Sequence, residues 1–184
     1  MKNEFVAVID HDLMFGMPRA PSNVQPWEQE TVPVSKVLLD AVSGKALKDY
    51  RQISATELFR ASATCFLFIW AMDVEGKVFL AFEEVLPPDD ASDPTLRYGH
   101  PRRRGFPTHP AKEKKLGHPT LLNSGHARMA GELLLDEHEN NLLWYLNAES
   151  GRYCRSLPPS RSQCEAVRDL FEKMIKDTVI WDED

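Results

Sequence analysis

The feature that most constrains the fold is the run Cys65–Met72, which reads CFLFIWAM and is apolar at every position. Such a run is typical of a strand buried on both faces of a sheet, and it is far too short to cross a bilayer. A polar turn, Asp73–Gly76, follows, and Lys77–Val85 is predicted to be the returning strand. We expect Glu83 and Glu84, at the end of this hairpin, to face solvent.

A second hairpin is predicted from two strand-like runs, Arg128–Leu135 and Leu142–Asn147, joined by the polar tip Glu137–Asn141. Each run carries a polar residue where the pattern would accept an apolar one. These residues are Glu132 in the first run and Asn147 at the end of the second.

Three helices are predicted from apolar spacing and capping signals. Apolar residues at positions 164, 167, 170, 171, 174 and 175 form one stripe behind a capping box, Ser160 to Gln163, which predicts a helix over 161–177. Val34–Tyr50 also has helical spacing, with a break expected at Gly44. A capping box from Ser54 to Glu57 predicts a short helix over 55–62.

The remaining segments are expected to add less regular structure. Residues 4–10 alternate well enough for a short strand, and the tail from Thr178 could add another. Four prolines disfavour regular structure over 16–33, where Trp27 is expected to pin the loop to the body.

The order of elements predicts one α+β domain spanning residues 1–184. Two hairpins and two or three helices occur without βαβ alternation, so we expect an antiparallel sheet with the helices packed on one face. Residues 86–119 form a long basic, proline-rich loop, expected to be mobile or functional. Within it, the part from Leu96 to Leu116 is expected to run over the surface without forming a ladder.

The net charge of −6 is distributed unevenly along the chain. Residues 97–115 carry a balance of +6, whereas residues 1–96 carry −7 and residues 116–184 carry −5. Because a nucleic-acid footprint is normally broad, one basic loop on an acidic body argues against nucleic-acid binding. An acidic body fits a protein that docks onto a basic partner, and it also fits simple solubility. Arg102, Arg103 and Arg104 are the candidate binding residues of the loop.

Several kinds of chemistry lack support in the sequence. There is no Walker A loop, GxGxxG, GxSxG or HExxH motif, and no two histidines stand at metal-binding spacing. We expect no cofactor and no metal site. The sequence has three cysteines, Cys65, Cys154 and Cys164, with no CxxC spacing, and Cys65 and Cys164 are best interpreted as small core residues. A Cys154–His118 pair stays open. Without a membrane span or a signal peptide, we expect a cytoplasmic protein.

The segment 117–154 gathers the residues that could form an active site, namely His118, Glu132, Asn147, Ser150 and Arg152. Glu132 lies on a largely apolar strand, and a buried carboxylate is either paired or has a raised pKa, as in active-site acids. The alternative is that Glu132 pairs with an arginine and has a structural role.

The turn Ser150–Tyr153 could likewise form a small anion nest completed by Arg152, with Tyr153 beside it, or be a plain turn.

The same segment resembles a module found in bacterial proteins of polymorphic-toxin and effector loci. The pieces that carry the resemblance are Gly117–Leu121, Ala130–Leu133, Leu146–Asn147, Ser150–Tyr153 and the helix over 161–177. The resemblance covers residues 117–170 and implies interbacterial conflict or host interaction, without separating a toxin from its immunity protein.

Two functions follow as hypotheses. The first is a protein-binding protein, most plausibly an immunity-type inhibitor that blocks a basic toxin domain. The alternative is a small transferase or hydrolase acting on a nucleotide-like substrate. In that enzyme Glu132 would act as acid/base or electrostatic stabiliser and Arg152 would anchor an anion.

Overall fold

The computed structural model describes residues 10–86, 99–102, 114–154 and 158–181, and it has an α+β fold. A six-stranded sheet has the order β1-β3-β2-β7-β8-β9, and a smaller sheet has the order β5-β4-β6. All neighbouring strands are antiparallel except β8 and β9, which are parallel. The predicted fold class is therefore confirmed.

The elements have the following bounds. The helices are α1 His11–Phe15, α2 Pro26–Glu30, α3 Ala41–Ser54, α4 Glu57–Ala63, a 3₁₀ helix His118–Leu122 and α5 Arg161–Ile175. The strands are β1 Val37–Leu38, β2 Leu67–Met72, β3 Val78–Phe82, β4 Glu84–Leu86, β5 His100–Pro101, β6 Lys114–Leu116, β7 Met129–His138, β8 Asn141–Leu146 and β9 Val179–Trp181.

Both predicted hairpins are present and lie side by side in the large sheet. β2 pairs with β3 in the first, β7 pairs with β8 in the second, and β2 and β7 join them, with Trp70 opposite Gly131. The second tip is shorter than predicted. Glu139 and Asn140 alone make the turn, both with positive φ, because a two-residue connection of this hand matches the twist of the strands.

One face of the large sheet packs against α3 and α5. Alternation along β2 places Phe68, Trp70 and Met72 on this face. The ring of Phe171, from α5, meets Trp70 edge-on at 5.6 Å, and Tyr50, from α3, meets Phe68 edge-on at 6.0 Å. The amphipathic pattern and the Ser160–Gln163 capping box therefore predicted α5 correctly, within two residues at its end.

Helix α3 begins later than predicted and is continuous through Gly44. Asp40 caps it, its side chain accepting hydrogen bonds from the backbone N–H groups of Val42 and Ser43, while Val37 and Leu38 pair as β1. A Cβ on residue 44 would lie 2.2 Å from the carbonyl oxygen of Met174. The expected break at Gly44 is therefore wrong, because this glycine lets α3 approach α5 closely.

The other short predicted elements need smaller corrections. α4 starts at Glu57, and Ser54 is the last residue of α3 and not its cap. α2 interrupts the segment 16–33 that was expected to be irregular. Trp27 does hold that segment to the body, since its indole N–H donates to the carbonyl of Lys115 at 2.9 Å. The strand predicted from Thr178 is present as β9, and the one predicted over 4–10 lies outside the described residues apart from its last residue.

The smaller sheet contradicts the prediction that the segment Leu96–Leu116 forms no ladder. β5 and β6, both from that segment, pair with β4 on either side. β4 itself carries Glu84, which is 1% exposed, and the neighbouring Glu83 is paired with Arg102 and Lys115. The expectation that Glu83 and Glu84 face solvent is wrong, because cationic and N–H partners compensate their burial.

Candidate protein-binding groove

An open apolar groove of about 580 Å³ lies beside α3, over the edge of the large sheet. Its floor is formed by Phe68 of β2 and by Leu80 and Phe82 of β3. α3 forms one wall and β1 the other. The groove is thus an uncovered part of the sheet face whose remainder is covered by α3 and α5.

The floor is a set of packed aromatic rings. Phe68 and Phe82 stack with ring centroids 4.3 Å apart, and Phe66 meets Phe82 edge-on at 5.6 Å. Cross-strand pairing fixes this arrangement because Phe68 stands directly opposite Phe82 in the ladder. A rigid aromatic floor of this kind offers large apolar contact area at low conformational entropy cost.

The α3 wall carries a second apolar stripe besides the buried one. Gly44 and Leu47 are buried, whereas Val42 is 78% exposed and Ile53 is 56% exposed. On a helix, positions 42, 46 and 53 share one face, about a third of a turn or more away from Leu47. Ala46, which lines the groove, lies on this face together with Asp49, which pairs with Lys45, so α3 presents a mostly apolar face that no described element covers.

The β1 wall is held in place by the buried carboxylate of Glu84. That carboxylate accepts hydrogen bonds from the backbone N–H groups of Val34 and Ser35, at 3.0 and 2.8 Å, and from the Ser35 hydroxyl at 2.6 Å. Val37 and Leu38, the two residues of β1, remain 44% and 39% exposed. The wall is therefore anchored from below while its apolar side chains stay at the surface.

Asp40 supplies the charge of the groove. It is the one ionisable carboxylate among the groove-lining residues, at the end where α3 begins. Hydrogen bonds from the backbone N–H of Ser43, together with that of Val42, lower the pKa of Asp40 despite some opposing desolvation. The carboxylate is thus ionised at neutral pH, and the groove has an anionic end.

The predicted site residues of segment 117–154 lie elsewhere, and His118 is bonded inside the protein. It is 7% exposed, and its Nε2 lies 2.9 Å from the carbonyl oxygen of Gly131, to which it donates. Burial lowers the pKa of His118 to about 4, against the opposing effect of that hydrogen bond. The ring is therefore neutral at pH 7.

Glu132, within β7, and Asn147, the residue after β8, lie together. The N–H of Glu132 donates to Oδ1 of Asn147 at 2.9 Å, and the N–H of Asn147 donates to the Glu132 carbonyl at 3.1 Å. The Asn147 side chain also accepts from the N–H of Glu149. Asn147 therefore extends the strand pair and turns the chain, and Glu132 is half-buried.

The turn Ser150–Tyr153 uses its own N–H groups internally. The Ser150 hydroxyl oxygen accepts from the N–H groups of Arg152 and Tyr153, and the Ser150 carbonyl accepts from the N–H of Cys154. The N–H groups that would form an anion nest thus already have an acceptor, and the residues form a single capped turn.

Arg152 and Tyr153 face inward. The guanidinium of Arg152 lies 3.4 Å from the buried carboxylate of Glu28 and donates to the carbonyl of Ser22. The hydroxyl of Tyr153 donates to the Gly125 carbonyl at 2.7 Å, and burial raises the pKa of Tyr153. Glu28 in turn accepts from the N–H of Gly117, so these side chains join α2 to the start of the 3₁₀ helix.

A shallow cavity of about 400 Å³ lies beside this turn. Ser150, Gly151 and Cys154 are among its lining residues, whereas the side chains of His118 and Glu132 are not. The thiol of Cys154 lies 3.4 Å from the Ala130 carbonyl, and burial raises its pKa, which disfavours the nucleophilic thiolate. The Cys154–His118 pair gains no support, since each side chain bonds a different carbonyl of β7.

Of the three candidate binding arginines of the loop, Arg102 is among the residues that the structure describes. Arg102 donates from its backbone to the Glu83 carbonyl and pairs through its guanidinium with the Glu83 carboxylate at 3.2 Å. Arg103 and Arg104 lie outside the described residues. Arg102 is therefore a tether within the smaller sheet.

No family model, curated protein or solved structure matches this chain. None of the helices described is both long and apolar enough to pass through a bilayer. Across residues 10–86, 99–102, 114–154 and 158–181, no group of three or more His, Cys, Asp or Glu side chains is arranged to hold a metal ion.

Sequence reasoning missed the groove, although one signal pointed to it. Val42, Ala46 and Ile53 are apolar at positions that a helix with one buried face would fill with polar residues. The helical spacing over 34–50 contains more apolar residues than one buried stripe needs, and this excess is the signal of a second exposed apolar face.

Proposed function

We propose that this chain is a protein-binding protein, an immunity-type inhibitor that blocks a bacterial toxin domain. The observation that carries the proposal is the apolar groove between α3 and β1, with exposed apolar side chains on both walls. Surfaces of this kind, rimmed by polar groups, mark interaction sites in folded proteins.

The extent of the apolar surface favours a macromolecular partner. Ile53 on α3 and Val34 before β1 are more than half exposed and extend the apolar surface past the groove. A small ligand would fill the groove and leave these side chains in water. A protein partner would cover them as well, and apolar area removed from water contributes about 25 cal/mol per Å² before the costs of association.

Charge supports a basic partner. The chain has a net charge of −6, and Asp40 places an ionised carboxylate at one end of the groove. An acidic inhibitor would associate quickly with a basic toxin domain through electrostatic steering, at a rate that falls as salt is added. The resemblance of residues 117–170 to modules of polymorphic-toxin loci points to the same context.

The internal bonding of His118, Asn147, Ser150 and Arg152 favours binding over catalysis. Each of these side chains donates to or accepts from backbone groups of the same chain. A catalytic group needs a hydrogen-bond position open to substrate. These residues therefore account for the local structure of the segment without an enzymatic role.

The experiment is a protection assay. A basic toxin domain encoded next to this chain is expressed in bacteria with the wild-type chain or with Val42→Asp, and survival is counted. We expect protection by the wild type and its loss with Val42→Asp, since an acidic residue suits the first turn of a helix but blocks the apolar wall.

The matched control is Leu13→Asp, which changes an equally exposed leucine on α1 and is expected to protect fully. Wild-type protein that neither protects nor binds the toxin domain would refute the inhibitor role.

A further inference from the structure

We infer that the groove accepts an amphipathic helix of the partner, lying alongside α3 as an additional helix on this face of the sheet. This inference rests on the proposed function in one respect, that the occupant belongs to a partner protein. It adds the form of the occupant, its length, its apolar spacing and the sign of its charge.

The form follows from the layer in which the groove lies. α5 and α3 pack side by side on one face of the sheet, in contact at Gly44, and the groove adjoins α3 on the side away from Gly44. Helices on a sheet pack about 10 Å apart. The next position in this layer is the groove itself, floored by aromatic rings and walled by an apolar helix face.

The length and spacing follow from α3. Its exposed face runs from Val42 and Ala46 beside the groove, past the ion-paired Asp49, to Ile53 just beyond the groove, which is about 16 Å at 1.5 Å per residue. A helix of roughly three turns would match it, with apolar residues at i, i+4, i+7 or i+8, and i+11. Ala46, in the middle of the stripe, is small enough to let the two helix axes approach closely.

The charge follows from Asp40 at the end where α3 begins. A carboxylate at that end selects a partner helix with Lys or Arg in the turn that reaches it. An antiparallel partner helix places its C-terminal turn there, where basic residues also complement the helix dipole. The apolar stripe and the anionic end together define a basic amphipathic helix.

The test is selection of peptides from a phage-displayed random library, on the purified full chain. Expected are peptides with apolar residues at helical spacing and a basic residue in the last turn, which become helical by circular dichroism when bound. Val42→Asp should weaken their binding at least tenfold, and Leu13→Asp should leave it unchanged.

A second variant tests the charge separately. Asp40→Asn keeps a good helix cap and removes only the carboxylate, so it should weaken binding severalfold and flatten its salt dependence while α3 stays folded.

Peptides with alternating apolar residues, or binding unaffected by Val42→Asp, would overturn the inference. So would a wild-type chain that dimerises through this face, seen as a mass near twice 21.0 kDa that Val42→Asp halves. If the chain binds helical peptides but fails the protection assay, the groove is a helix-binding site and the inhibitor role is refuted.

Discussion

The carbonyl oxygen of Asn147 lies over Gly131, so close that a Cβ on residue 131 would be 2.0 Å from it. The indole N–H of Trp70, the residue opposite Gly131 in β2, donates to that same carbonyl at 3.1 Å. The end of β8 therefore folds over the centre of the sheet, and only glycine leaves room for it.

Gly131→Ala should destabilise the protein by at least about 1–3 kcal/mol, since the methyl group meets backbone atoms that cannot move aside cheaply. Gly151→Ala is the matched control, because nothing lies within 4 Å of a Cβ at that position. Urea unfolding followed by tryptophan fluorescence measures both. Equal urea midpoints for the two variants would show that the backbone of Asn147 does not lie against Gly131.

Phe171→Ala should lower the free energy of unfolding by about 3–5 kcal/mol, the usual cost of emptying a buried aromatic site. Phe171 is fully buried and packs edge-on against Trp70. Leu13→Ala, on an exposed side chain, should change it by less than about 0.5 kcal/mol. A loss below about 1 kcal/mol at Phe171 would place α5 outside the main core.

Stability should fall as the pH drops from about 6.5 to about 4, in part through His118. Burial holds its pKa near 4 in the folded chain, whereas it returns to about 6.5 on unfolding. Protons then bind the unfolded chain preferentially in that window, which costs roughly 3 kcal/mol by pH 4 and nothing above pH 6.5.

His118→Gln keeps an N–H donor for the Gly131 carbonyl and removes this titration. Its stability should depend less steeply on pH between 4 and 6.5 than that of the wild type, as measured by urea unfolding at each pH. Parallel curves for the two proteins would show that His118 does not contribute.

Glu84→Gln should loosen the β1 wall of the groove. The carboxylate accepts three hydrogen bonds, from the N–H groups of Val34 and Ser35 and from the Ser35 hydroxyl. A glutamine amide would point its NH₂ group at one or more of these donors, so those hydrogen bonds would be lost and the free energy of unfolding would fall by about 1–3 kcal/mol. Hydrogen exchange at residues 34–38 should accelerate.

The control for that measurement is Glu75→Gln, which breaks only an exposed pair with Lys77 and should leave both stability and exchange at residues 34–38 nearly unchanged. Unchanged exchange in Glu84→Gln would mean that the segment is held by other contacts.

The sequence predicted those elements whose signals are local. α5 has a capping box and one apolar stripe, and the two hairpins have turn residues between strand-like runs. β1 was missed because Val37 and Leu38 fit the helical spacing of the residues after them. Its pairing with Phe79 and Leu80 depends on a distant strand.

The buried carboxylates were missed for a different reason. Glu84 was expected to face solvent because a carboxylate is rarely buried unless it is paired, and nothing in the sequence indicates that Glu28 is buried. The partners of these two carboxylates include the N–H groups of Gly117 and Val34 and the guanidinium of Arg152, which belong to distant segments and leave no trace in the local sequence. The pairing of Arg102 with Glu83 likewise joins residues 19 positions apart and left no local signal in the sequence.

The order of strands has a consequence for how the chain folds. Each hairpin pairs neighbours in sequence and can form early, within microseconds, but the sheet is complete only when β2 meets β7, as in the pairing of Met72 with Met129. Closing that long loop is the slow, entropically costly step. Because the closure cost grows only logarithmically, doubling the connection between the hairpins should cost just about 0.6 kcal/mol. The stretch between β4 and β6 can therefore change in length during evolution while both hairpins keep their register.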